Sequence, residues 1–183
     1  LKNIFLLIFP EFKNLDRIKK LSNFSEEHLL RIDTNMILAI LLIDDSDNFL
    51  YFCHKYKVPN LTKNKLELLS RSFQEFKGDK NFFKKNLKKN TYFLGKDFLK
   101  NLAIFLFFEN KSFKYKELNS TLRDIEIISV PKFPFDGEFL KKRGFIEGKK
   151  IGLALKELEN DWVKNNFSLS EDNINTILKK VKN

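Results

Sequence analysis

Along nearly the whole chain the apolar residues recur at spacings of three and four, and no stretch alternates apolar and polar residues for long. That period stacks apolar side chains on one face of a helix, whereas a half-buried strand needs a period of two. The pattern predicts an all-α protein, an irregular helical bundle. With 183 residues, 43% of them apolar, the chain can bury one sizeable core, or two small ones sharing an interface. The longest apolar runs, 37–43 and 102–108, fall well short of the roughly 20 residues needed to cross a bilayer, so no membrane partner is expected. A single cysteine, Cys53, excludes an internal disulfide framework and the multi-cysteine zinc patterns. The N-terminus lacks the order of a signal peptide, which makes a cytoplasmic location the default expectation. Because the chain opens on Leu1 and its first residues already read as the apolar end of a helix, it is read as a fragment with a segment missing upstream.

Individual helices can be placed by their faces and caps. Leu15, Ile18 and Leu21 mark a helix after Pro10, and Ser25 followed by Glu26, Glu27 and His28 reads as an N-cap opening a helix that runs to about Ile43. After a polar break at 44–47 comes a short helix over 49–56. Pro59 and Asn60 make a turn, and Thr62 caps a helix with Leu66, Leu69, Phe73 and Phe76 on one face, stopped by Gly78 and Asp79. A very basic, hairpin-like stretch at 80–89 leads to an apolar helix over 94–108, where Phe98, Leu102, Phe105 and Phe108 form the stripe expected of a central core helix. Residues 111–123 read as helix, while 125–130 are β-branched and suit helix or extended chain alike. Pro131 and Pro134 break the chain, and Ser170 caps a last helix over 171–181. The division expected is a helical body, 1–127, and a helical tail, 128–183.

A formal charge of +10 and a pI near 9.5 suggest a polyanionic partner, because clustered Lys and Arg bind nucleic acid by releasing its condensed counterions. Only five of the 34 basic residues are arginine (Arg17, Arg31, Arg71, Arg123 and Arg143). The excess of Lys, Asn, Ile and Phe over Ala, Gly and Pro is what AT-rich coding produces. Total charge is therefore a weak guide, and placement must decide.

Catalytic chemistry finds little support. Asp45 and Asp47 in the run Asp44-Asp45-Ser46-Asp47 have the spacing by which paired metal ions are held, and their oxygens would suit Mg²⁺. No glycine precedes Gly78, so the glycine-rich strand-turn such a site needs is missing. The run is read as an acidic interhelical loop in which an Asp caps the next helix. His28 reads as a first-turn surface residue, His54 as a partly packed helix residue and Cys53 as a small core residue. No phosphate-loop, dinucleotide-binding or serine-hydrolase pattern occurs. No catalytic residue and no cofactor are expected in this chain.

The segment from Phe133 to Phe167 is more informative. Asp136 can cap a short helix whose Phe139 and Leu140 face inward and whose last turn holds Lys141, Lys142 and Arg143. Gly144 permits the left-handed backbone that ends it. Phe145, Ile146, Glu147 and Gly148 follow, and a second helix begins near Lys149. On it Ile151, Ala154, Leu155, Leu158 and Trp162 fall within about 100° of one another, while Lys149, Lys156, Asn160 and Lys164 fall on the opposite side. Free N–H groups at the start of this helix, the close approach Gly148 allows, and Lys149 and Lys150 make an anion site suited to a phosphate. The RNA-binding candidates are Lys141, Lys142, Arg143, Gly148, Lys149, Lys150, Lys156 and Lys164. An ordinary helical hairpin with glycine caps and solvated lysines has the same local pattern.

Phe133-Pro-Phe-Asp-Gly, then Leu140, Gly144, Gly148, Ile151-Gly152, Leu155, Leu158, Trp162 and Phe167 resemble the C-terminal region of bacterial tRNA nucleotidyltransferases, the CCA-adding enzyme and poly(A) polymerase family. Departures are Phe139 for the usual Asp, and Glu147 and Lys149 for common prolines. Weaker similarity to the family's helical region covers Ile8-Phe-Pro-Glu-Phe, Leu29-Leu-Arg-Ile with the apolar run 37–43, and the stretch from Tyr56 to Leu66. The resemblance implies the body and tail of a class II nucleotidyltransferase-like protein that binds the acceptor and TΨC arms of tRNA. It also implies that Mg²⁺ and the nucleoside triphosphate belong to an N-terminal catalytic head of the same polypeptide, absent from this chain. The alternative reading is a non-catalytic helical protein-interaction module with Phe-rich surfaces and incidental charge.

Overall fold

The computed structural model describes residues 2–79, 81–110, 112–146 and 148–182, and every regular element among them is helical. Lys80, Lys111 and Glu147, which carried expectations from the sequence, lie outside the described residues. The chain divides into two compact units, Leu1–Ile128 and Ser129–Asn183.

The first unit contains α1 (Lys2–Ile8), a 3-10 helix (Leu15–Asn23), α2 (Glu26–Leu29), α3 (Thr34–Leu42), α4 (Asn48–Lys55), α5 (Asn60–Gly78), α6 (Leu87–Leu94), α7 (Lys96–Glu109) and α8 (Tyr115–Ile127). Its centre is α7, in which every residue from Leu102 to Phe108 is buried. A helix buried on all sides needs neighbours all round, and α3, α5, α6, α8 and the 3-10 helix pack against it. Phe105 meets Phe73 of α5 edge to face at 5.3 Å between ring centroids, a favoured aromatic geometry.

Three expectations are corrected here. The single helix expected from Ser25 to Ile43 is two, α2 and α3, because the Asp33 carboxylate accepts the Met36 N–H at 2.8 Å and starts a new helix. Thr62 is not a cap: α5 begins earlier, directly after Pro59, whose fixed φ and missing N–H suit a helix start. Of the basic stretch 80–89, residues 81–86 form a turn and 87–89 open α6, the turn being tied by Asp79, which accepts the Asn81 N–H at 2.8 Å and the Asn86 amide at 2.7 Å. Of the two readings open for 125–130, helix holds to Ile127 and the chain then runs irregularly to Asp136.

The second unit holds α9 (Gly137–Lys141), α10 (Lys149–Lys164) and α11 (Glu171–Lys182). Leu140, Phe145, Ala154, Leu158, Ile174, Ile177 and Leu178 form its core. Asp136 caps α9 by accepting the Phe139 N–H at 2.9 Å, and the Ser170 hydroxyl accepts the Asn173 N–H at 3.2 Å at the start of α11.

Candidate nucleic-acid interface

The turn between α9 and α10 is built by two glycines and one anchor. Gly144 has φ +81° and Gly148 has φ +125°, backbone that L side chains rarely adopt. Between them Phe145 is buried in the unit's core while Ile146 stays 87% exposed. Gly148 therefore stands at the N-terminus of α10 without a capping side chain, and the first turn contains no acidic residue. Among the described residues, no side chain caps the N–H groups at this helix start and no acidic residue of the first turn meets the positive end of the helix dipole.

The end of α11 closes this corner. Lys182 donates through Nζ to the Arg143 carbonyl at 2.7 Å and lies 4.9 Å from the Phe145 ring centroid. Lys150 donates through Nζ to the Lys182 carbonyl at 2.8 Å. The result is a recess of about 460 Å³ lined by Gly144, Phe145, Ile146, Lys149, Lys150 and Lys182. An ammonium has three N–H donors, so Lys150 and Lys182 are positioned by one bond each and keep further donors for a ligand. Lys182 was missed by sequence reasoning, because no local pattern links the last turn of one helix to a turn some forty residues earlier.

The other predicted residues do not line this recess. Lys141 pairs with Glu138 at 2.9 Å. Arg143 contacts both carboxylate oxygens of Glu171 at 3.1 Å and lies over Phe139, 3.8 Å from its ring centroid. Lys142 and Lys156 are exposed and have no carboxylate partner among the described residues. Lys164 lies 3.6 Å from Asp161. At 1.5 Å rise per residue, Lys156 and Lys164 sit about 10 and 22 Å along α10 from Lys149. The predicted set is thus a compact corner at Gly148, Lys149 and Lys150 with a basic line leading away from it.

The acidic loop does not fit a Mg²⁺ site. Asp44 accepts the Ser46 N–H at 2.9 Å and its hydroxyl at 2.5 Å. Asp45 is paired with Lys77 at 2.5 Å, and that bond holds its carboxyl below the usual range. Nor does an Asp cap α4: Asp47 occupies the position, but its ψ of 18° is not the extended backbone a capping side chain needs, and the Ser46 hydroxyl accepts the Asn48 N–H instead. No group of three His, Cys, Asp or Glu among the described residues can hold a metal ion. His28 is half-buried rather than a surface residue, its Nδ1 lying 2.9 Å from the Tyr115 hydroxyl. His54, expected to be partly packed, is exposed. Cys53 is buried, and burial pushes its thiol up, away from the reactive thiolate. No helix among the described residues is long and apolar enough to cross a membrane.

Comparison with known proteins relates part of the sequence to one kind of enzyme. No family model and no solved structure matches the chain. Over 61 residues, 33% of its length, the chain is 38% identical to CCA tRNA nucleotidyltransferase 1, mitochondrial, of Danio rerio. Over 67 residues, 37% of its length, it is 33% identical to the protein of that name from Mus musculus and 31% identical to that from Homo sapiens. The matched segment spans 14% of the Danio rerio protein and 15% of the other two. These relatives are vertebrate and mitochondrial, whereas the resemblance read from the sequence was to bacterial enzymes. About a third of this all-α chain is related in sequence to CCA-adding tRNA nucleotidyltransferases.

Proposed function

We propose that this chain is the tRNA-binding portion of a CCA-adding or poly(A) polymerase-type nucleotidyltransferase, and that it positions tRNA for nucleotide addition to the 3′ end by a catalytic head carried elsewhere on the same polypeptide. The observation that carries the reading is the recess at the start of α10, where Lys149, Lys150 and Lys182 surround uncapped backbone N–H groups. Phosphate oxygens accept from both kinds of donor, and such contacts fix register without reading sequence. Lys142, Lys156 and Lys164 extend the same cationic surface along the acceptor and TΨC arms. No residue here is assigned to the chemical step, and Mg²⁺ and the nucleoside triphosphate belong to the head.

Filter binding of the chain to tRNA and to a random acidic polypeptide tests this. Phosphate recognition predicts at least about tenfold tighter binding of tRNA, with the preference reduced in the K149A/K150A variant. Equal, weak binding of both polymers would contradict it and favour the protein-interaction reading.

A further inference from the structure

A recess of about 700 Å³ in the first unit lies among α2, α7 and α8. Its cations are Arg31, Lys100 and Arg123, and its carboxylates are Glu27 and Glu126. Lys100 is nearly buried, its side chain 9% exposed, and is paired with Glu126. That pair is largely self-neutralising, which leaves two arginines against Glu27. Arg123 uses its Nε to reach the Asn119 carbonyl of its own helix at 3.3 Å, and no carboxylate among the described residues pairs with either guanidinium. Arg31 does feel the charge of Glu126, which limits its freedom without occupying its donors. Arginines present planar, multiply donating faces matched to phosphate.

The wall beside them is aromatic and ordered. The Tyr115 hydroxyl accepts the Ser25 N–H at 3.2 Å and lies 2.9 Å from His28 Nδ1. In the tautomer in which the phenol donates to Nδ1, the imidazole proton lies on Nε2 and that nitrogen is a donor. The two rings pack edge to face, with centroids 5.8 Å apart. Volume decides the size of ligand: about 700 Å³ is far more than a lone phosphate fills and lies within the range of small-molecule sites.

We propose that this cleft binds a nucleotide, with Arg31 and Arg123 holding its phosphate and the rings of His28 and Tyr115 forming the wall beside its base. The shared chemistry is a nucleotide phosphate, supplied either by a mononucleotide or by one residue of a single RNA strand. The site is separate from the tail recess and stands or falls without it.

Amide spectra of the full chain, titrated with AMP and with a short single-stranded RNA, test the proposal. Saturable shifts at Ser25 and Asn119 are expected, weakened at least about tenfold in R31A/R123A and unchanged in R71A, which removes one exposed arginine elsewhere. Both cleft arginines are exposed, so the double variant should keep the native spectrum. Shifts with AMP identify a mononucleotide source, and shifts with the RNA alone identify a strand. No shift at Ser25 or Asn119 with either probe, or shifts that persist in R31A/R123A, would overturn the site.

Discussion

The two units use their positive charge differently. In the first, Arg17, Lys20 and Lys96 reach into seams between elements and serve the fold. Arg17 donates to the carbonyls of Ile40 and Ile43 at 3.1 and 2.7 Å, at the end of α3, and Lys20 donates to the Phe107 and Asn110 carbonyls at 2.6 and 3.3 Å, at the end of α7. Lys96 does the same for the Glu126 carbonyl of α8 at 2.5 Å. These carbonyls are the unpaired groups of helix C-termini, where cations also suit the dipole. In the second unit the equivalent lysines, Lys150 and Lys182, make one such bond each and remain exposed beside a helix start. A high lysine content therefore means two things in one chain: structural capping in the body and an open anion recess in the tail.

The comparison can be broken first at the cores. Phe105→Ala, in the wholly buried α7, should cost about 3–5 kcal/mol in urea unfolding. Leu158→Ala, in the smaller tail core, should cost about 2–3 kcal/mol. A reversed order would mean that α7 is not the central support of the fold. Next, Arg17→Met should cost about 1.5–3 kcal/mol, the scale of charged hydrogen bonds to half-buried carbonyls. Arg143→Met removes an exposed pair and should cost only about 0.2–1 kcal/mol. Equal losses would erase the distinction between structural and surface cations. Gly144→Ala, which forces a side chain into φ +81°, should destabilise the tail by about 1 kcal/mol and loosen the recess.

The smallest effect is set by pH. Burial pushes the Glu11 carboxyl up, but the Lys55 ammonium 2.7 Å away and the Glu11 backbone bond outweigh it and hold the carboxyl below its ordinary value. A group with a depressed folded pKa contributes stability that is present above its unfolded value and lost as pH falls through the folded one. Lys55 is raised by the same pair, so its contribution is present below its unfolded value and lost only as pH rises through the folded one. Acid titration of Glu11→Gln should thus show a flatter loss of stability than the parent below about pH 4.5. A matching profile would show that the pair adds nothing to folding.

Much of the architecture was legible because the apolar period is local: the α7 stripe, the Asp136 and Ser170 caps and the amphipathic face of α10 each follow from residues within four positions of one another. What escaped the sequence involved choices between neighbours or partners far along the chain. Asp33 starts a helix of its own, its carboxylate accepting the Met36 N–H, where the sequence pattern predicts one helix running on from Ser25. His28 becomes half-buried because Tyr115, 87 residues later, offers its hydroxyl. The recess at Gly148, Lys149 and Lys150 could be proposed locally, but Lys182 reaches it only through the packing of α11 on α10.

The most direct measurement of the central claim is the salt dependence of tRNA binding by the parent chain and by K149A/K150A. Two lost phosphate contacts predict weaker binding and a slope of log K against log salt that is shallower by about 1.5 to 2. An unchanged affinity and slope would contradict the assignment of the α10 recess as the place where this chain holds phosphate.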